Sequence, residues 1–209
     1  MKKTILMGAA AALVGFAAHA ATPALLFDQN TGNTLANGPF TLGWEFTTNA
    51  AVTVTGLGVF DDSQDGLVES HDVGLWDNSG TLLASGTVVS GTVDPLVNQW
   101  RYVSTSPVTL AANATYYIGA LWLDGGDANV FPGSGSATTI PQINYIQSSY
   151  AQGGTLADPT STGTGSYGYF GPNFLTSVPE PATWALMLVG FGGLGVSLRA
   201  RPKAATSAA

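Results

Sequence analysis

Thr115-Tyr116-Tyr117-Ile118-Gly119-Ala120-Leu121-Trp122-Leu123 is apolar on both faces. Tyr116, Ile118, Ala120 and Trp122 alternate with Tyr117, Gly119, Leu121 and Leu123, and neither set is polar. A strand wetted on one side alternates apolar with polar residues. A doubly apolar strand therefore belongs at the centre of a layered β structure, covered on both faces. Other strands are expected on either side of it. Upstream, Leu42, Trp44 and Phe46 alternate with Thr41, Gly43 and Glu45, and residues 52–60 are rich in Val and Thr. Residues 73–77 and 81–85 flank the turn Asn78-Ser79-Gly80, residues 87–93 continue the pattern, and 99–104 and 107–110 follow. At the start, 25–27 reads as a short strand and 28–39 as a polar loop. Downstream, 124–137 is a loop interrupted by Val130-Phe131, and 143–146 is a strand closed by Tyr150. Residues 155–166 form a Gly/Ser/Thr tract, and 167–175 are aromatic enough to pack back. No amphipathic helix interrupts this order. The fold class is all-β, a single β-sandwich or jelly-roll-like domain.

Charge sorts along the chain. Five of its six basic residues are Lys2, Lys3, Arg199, Arg201 and Lys203, which leaves Arg101 alone between them. Lys2 and Lys3 precede an apolar run, 5–18, and Ala18-His19-Ala20 supplies the small residues of a cleavage site. This is the pattern of a secretory signal peptide, residues 1–20, cut after Ala20. At the other end, the uncharged run 182–198 is followed by Arg199, Arg201 and Lys203. Its seventeen residues are the short end of a membrane-spanning helix, and the basic tail is expected on the cytoplasmic side. Residues 21–177, one domain's length, carry twelve carboxylates against one arginine, a net charge of about −11. Nucleic acid is excluded as a partner by the lack of clustered Lys and Arg, and divalent cations are the natural counter-ions. The chain has no cysteine, which removes thiol catalysis and thiolate-bound zinc.

Between the domain and the apolar run stands Val178-Pro179-Glu180-Pro181, followed by Ala182-Thr183-Trp184-Ala185. The prolines remove backbone donors and favour an extended segment open to a protease. Motif, short Gly-rich span and basic tail together resemble the PEP-CTERM sorting signal of Gram-negative bacteria, here at 178–203. The resemblance implies processing near the motif by an exosortase, a membrane-embedded protease. It also implies a transient inner-membrane anchor and delivery to the cell surface or beyond it. Gly58-Val59-Phe60-Asp61-Asp62, Gly66-Leu67, Ser70-His71 and Val73-Gly74-Leu75-Trp76-Asp77 resemble a family of uncharacterised β-sandwich domains often carried on such proteins. Arg101-Tyr102-Val103 and Pro107-Val108-Thr109-Leu110 extend the likeness, which implies a fold but no activity.

The best candidate for chemistry is the acidic loop 61–72. Numbered from Asp61, oxygen ligands fall at positions 1, 3, 5, 9 and 12, with Gly66 at position 6, which is the spacing of an EF-hand-like calcium loop. Asp61, Ser63, Asp65 and Asp72 would ligate by side chain, Leu67 by its carbonyl, and Glu69 directly or through water. Ser at position 3 and Asp at position 12 depart from the pattern, and the flanks are strands. The competing reading is a solvated acidic loop. His71, alone between the terminal segments, has no nucleophile-elbow sequence to serve and reads as a loop or packing residue. Carboxylate pairs for glycoside hydrolysis, Glu45 with Asp61 or Glu69, exist in principle. Trp76 and Trp100 are the candidates for an exposed sugar-stacking platform, whereas Trp44 and Trp122 read as core. The functional expectation is an exported, non-enzymatic surface or matrix protein linked to exopolysaccharide and biofilm. A carbohydrate-binding module is the alternative, and a small glycoside hydrolase the third reading.

Overall fold

The computed structural model describes residues 21–26, 33–35, 38–123, 126–131, 137–163 and 169–177. The expected signal peptide and the whole sorting segment, including Val178, Pro179, Glu180 and Pro181, lie outside them. Fifteen strands form among the described residues: β1 (Ala21–Pro23), β2 (Leu25–Leu26), β3 (Asn33–Leu35), β4 (Phe40–Thr48), β5 (Val52–Phe60), β6 (His71–Asp77), β7 (Leu82–Val88), β8 (Leu96–Val97), β9 (Trp100–Leu110), β10 (Thr115–Trp122), β11 (Asn129–Phe131), β12 (Thr138–Thr139), β13 (Ile143–Gln152), β14 (Ser161–Thr162) and β15 (Pro172–Ser177). They make a sandwich. One sheet has the order β1-β15-β5-β9-β8, the other β14-β13-β4-β10-β6-β7, and two-stranded ribbons β11-β3 and β12-β2 flank them.

The doubly apolar segment is β10, and it lies inside its sheet, antiparallel to both β4 and β6. Its first face enters the shared core. Ile118, Ala120 and Trp122 are buried beside Trp44, Phe46, Val73 and Leu75. The other sheet answers with Phe174, whose ring stacks on Trp44 at 5.9 Å and 17°. Each such side chain withdrawn from water contributes about 1.5–3 kcal/mol.

The second face of β10 is covered by the chain itself. Register aligns Ser149, Gly43, Gly119, Gly74 and Ser85 in one row across five strands, a furrow without large side chains. Residues 155–160 cross this face as a strap before 161–163 join the sheet edge beside β13. Pro159 lies over Gly119, where an added Cβ would come within 3.0 Å of the proline Cγ and 2.7 Å of Thr41 Cγ2. The Ala157 N–H donates to Thr41 Oγ1 at 3.1 Å, and the Gly163 N–H to the Ser148 carbonyl at 3.0 Å.

Several expected elements differ in extent. Residues 99–104 and 107–110 are one strand, β9, because a register shift opposite Val54–Gly56 absorbs Pro107. Residues 143–152 are likewise one strand with a shift at Tyr145/Gln147. The expected strand 87–93 stops at Val88, where the chain leaves for the other sheet. The polar stretch 28–39 holds β3, which pairs with β11.

Candidate functional site

The acidic loop after β5 turns where its spacing says it should, but around a different cation. Gly66 takes φ +115°, and its N–H donates to both carboxylate oxygens of Asp61 at 3.2 and 3.1 Å. Asp61 is 1% exposed. Its partner is the Arg101 guanidinium, whose Nε donates to Oδ2 at 2.7 Å and whose Nη1 donates to the Asp94 carbonyl at 3.0 Å. The arginine projects from β9, the strand beside β5, so it reaches the loop from below and ties 61–66 and 94 to the sheet.

The expected calcium cradle is not assembled, and the reason is competition for its oxygens. Asp61 is held by Arg101 and Gly66. The Leu67 carbonyl accepts the Gly91 N–H at 2.7 Å. Glu69 Oε1 accepts the Leu123 N–H at 3.4 Å, and Asp72 Oδ1 accepts the Thr87 hydroxyl at 2.6 Å across β6 and β7. Ser63 and Asp65 remain on the exposed turn. Among the described residues no three carboxylates or imidazoles gather as a metal group would require.

A second knot, which sequence spacing could not show, lies beside the first. Asp127 accepts the Val68 N–H at 2.8 Å and the Glu69 N–H at 2.9 Å, closing the other half of the loop. Its Oδ2 also meets His71 Nε2 at 3.0 Å, while His71 Nδ1 meets the Leu121 carbonyl at 2.7 Å. A carbonyl and an ionised carboxylate only accept, so both contacts are satisfied together when the ring donates from both nitrogens. Burial pushes the Asp127 carboxyl up, but the His71 and backbone hydrogen bonds outweigh it and hold it below its ordinary value. His71 is 0% exposed and packs on Trp122, with ring centroids 5.1 Å apart. It is a packing residue, as its sequence setting suggests, and it belongs to the first residue of β6 rather than to a loop.

The proposed sugar platform is overturned by burial. Trp100 is 0% exposed, and its indole N–H donates to the Phe170 carbonyl at 3.2 Å. Trp76 is 5% exposed and lies flat over Gly74, whose missing side chain makes room for it. Neither offers a face for stacking. The carboxylates suggested for hydrolysis are also apart in the fold. Glu45 stands midway along β4, where Oε2 accepts from Gln147 Nε2 at 2.6 Å, while Asp61 and Glu69 are in the end loop.

Two other polar places remain. Tyr117, beside Glu45, has its phenol pushed up by burial and by the Glu45 and Asp158 charges. At the opposite end from the acidic loop, Asp77, Asn78, Ser79, Asn113, Ala114, Thr115 and Tyr116 line an open cleft of about 500 Å3. Asp77 is held low by the Ser79 hydroxyl and the Thr81 N–H. Asp158 is pushed up by burial and by Asp77.

Comparison with known proteins bears on both halves of the chain. A model described as a domain of unknown function, DUF4082, matches residues 28–175. A model described as the PEP-CTERM protein-sorting motif matches residues 177–201. No curated protein and no solved structure matches the chain.

Proposed function

Because the chain belongs to the DUF4082 family and carries a PEP-CTERM protein-sorting motif, we propose that it is a non-enzymatic β-sandwich of the bacterial cell surface or extracellular matrix. The motif marks a protein exported across the inner membrane of a Gram-negative bacterium, anchored there transiently and processed by an exosortase. The role outside is our reading. It rests on one observation: Arg101 and His71, the only cationic or imidazole side chains among the described residues, are both buried and spent in hydrogen bonds to carboxylates that tie loops to the sheets. Groups spent in this way position backbone. They do not meet a substrate.

Association with exopolysaccharide is the partner this reading favours. The domain's charge of about −11 opposes direct contact with an acidic polymer, so contact would run through uncharged sugar faces and polar loops. Such contacts are weak singly, and many copies along one polymer would retain the protein by avidity. The test uses protein recovered from outside the producing cell. Its intact mass should correspond to a chain beginning at Ala21 and lacking the apolar run beyond Pro181. It should co-sediment with the producer's own polysaccharide. Cleavage of that polymer would refute the non-enzymatic role, and a retained span would refute the processing.

A further inference from the structure

Two turns bound the open cleft at the end of the sandwich away from the acidic loop, and each is pinned from within. The first is the β6–β7 corner. Asp77 Oδ1 accepts the Ser79 N–H at 2.9 Å, the Ser79 hydroxyl at 2.6 Å and the Thr81 N–H at 2.9 Å. The Asp77 N–H donates to the Thr81 carbonyl at 3.1 Å, and Gly80 closes the turn at φ +81°. The second is 111–114, between β9 and β10, and it is built on the buried Thr48. The Thr48 hydroxyl donates to the Ala111 carbonyl at 2.5 Å and its N–H to the Ala114 carbonyl at 3.0 Å, while its own carbonyl accepts the Asn113 N–H at 2.7 Å. Pairing of Tyr116 with Asp77 across β10 and β6 sets the two turns side by side.

What the pinning leaves over is amide. Asn78 and Asn113 are exposed and line the cleft, and neither side chain has a hydrogen-bond partner among the described residues. Asn113 stands at φ +57°, in the left-handed region that asparagine tolerates better than most residues. Each primary amide offers two donors and an acceptor. Asp77 adds an acceptor, because its three hydrogen bonds all fall on Oδ1 and leave Oδ2 open. The Thr115 hydroxyl completes the polar lining.

This inventory selects a ligand class. Among the described residues no lysine, arginine or histidine lines the cleft, and Arg101 is held by Asp61 at the other end. An anionic ligand would meet Asp77, and Asp158 close behind it, with no opposite charge to offset them. An apolar ligand would leave the amides and the carboxylate oxygen unpaired. A sugar hydroxyl both donates and accepts, which suits an amide on either wall and a carboxylate oxygen between them. The volume, about 500 Å3, lies within the range of small-ligand sites.

We propose that this cleft binds an uncharged saccharide, whose hydroxyls are held by the Asn78 and Asn113 amides and donate to Asp77 Oδ2. The inference rests on the polysaccharide association of the preceding reading and adds its site and its sugar class, neutral residues rather than uronic acids. Tyr116 is 6% exposed, so recognition runs through hydrogen bonds and not through stacking. The walls are fixed before the ligand arrives, which spares the cost of ordering loops, but a few solvent-facing hydrogen bonds keep each contact weak.

The test uses isotope-labelled protein recovered from outside the producing cell. It is titrated by NMR with maltohexaose, mannohexaose and galactohexaose, and with an oligogalacturonate of the same length. The backbone amides of 78, 79, 113 and 115 should shift with a neutral hexasaccharide and stay still with the galacturonate. Asn78→Ala should weaken that binding about fivefold, the loss of one hydrogen bond. Asn113→Gly should do the same, glycine being chosen because it keeps the positive φ. Asn78 makes no side-chain hydrogen bond, so its variant keeps the test decisive even if Asn113→Gly lowers Tm. Ser90→Ala, at the acidic end, should bind as the parent does. Stationary amides with all three neutral sugars, an equal response to the galacturonate, or parental affinity in both asparagine variants would overturn the proposal. If the parent still co-sediments with the producer's polysaccharide in those cases, the site alone is wrong. If it binds a neutral hexasaccharide at the cleft without co-sedimenting, the site stands and the matrix association falls.

Discussion

Arg101 shows how one residue can redirect a motif. Its guanidinium lies where the loop spacing invites a metal, so Asp61 has a partner before any ion arrives. Breaking such a buried pair leaves a carboxylate desolvated and alone, at a cost of about 3–5 kcal/mol. Arg101→Met should therefore destabilise the domain by about that amount in urea unfolding. Adding Asp61→Asn should recover much of the loss, because the remaining amide can still accept the Gly66 N–H. Asp127 gives a pH signature. The folded Asp127 carboxyl titrates below its ordinary value of 3.8, so between these values the unfolded state binds more protons than the folded one. Its contribution to stability is complete above that range and is lost as pH falls through the folded value. Asp158 acts in the opposite sense, since a carboxyl raised in the fold gains stability on acidification from its folded value toward 3.8. Asp127→Asn should lower Tm at neutral pH and flatten its decline below about pH 4, whereas Asp158→Asn should raise Tm at neutral pH. An acid-unfolding series on the three proteins checks both signs.

Strands with strong side-chain patterns were legible before the fold was seen. The two apolar faces of β10 placed it inside a sheet, and the Leu42, Trp44 and Phe46 stripe of β4 placed it against the core. Where the strand and loop expectations fell short, the cause was long-range. Pairing between distant segments supplied order that no local pattern carries. The Gly/Ser/Thr tract 155–166 has no periodicity of its own, yet Pro159 seats over Gly119, the Ala157 N–H is held by Thr41, and 161–162 pair with β13. Asp127 likewise acquires its role from loop amides 58 and 59 residues away. Trp76 and Trp100 carry ring and polar edge in either setting, so sequence could not tell platform from core. The strap's dependence on the furrow is testable. Gly119→Val should displace Pro159 while leaving the inner face of β10 in place, and the gain should be read as faster limited proteolysis between 155 and 163. Proteolysis unchanged from the parent chain would mean that the strap does not need the furrow.

At the scale of the whole molecule, the two sheets are closed by the last residues of the domain. β15 lies between β1 and β5, and Phe174 supplies the ring stacked on Trp44. Asn173 reaches back 148 positions to accept from the Leu25 N–H and donate to its carbonyl. Removing 170–177 should therefore abolish cooperative unfolding altogether rather than lower Tm, a result that calorimetry would decide. The same arrangement sets a clock. A chain exported from its N-terminus delivers Trp44 early and Phe174 late, so the core has a vacancy until nearly the whole domain has crossed. Contacts of such long sequence separation form slowly even when both partners are present. The domain thus stays threadable for as long as threading is needed, and it becomes able to lock only as the residues just ahead of the sorting motif emerge. The last core strand and the processing site therefore emerge together, because they are neighbours in the chain.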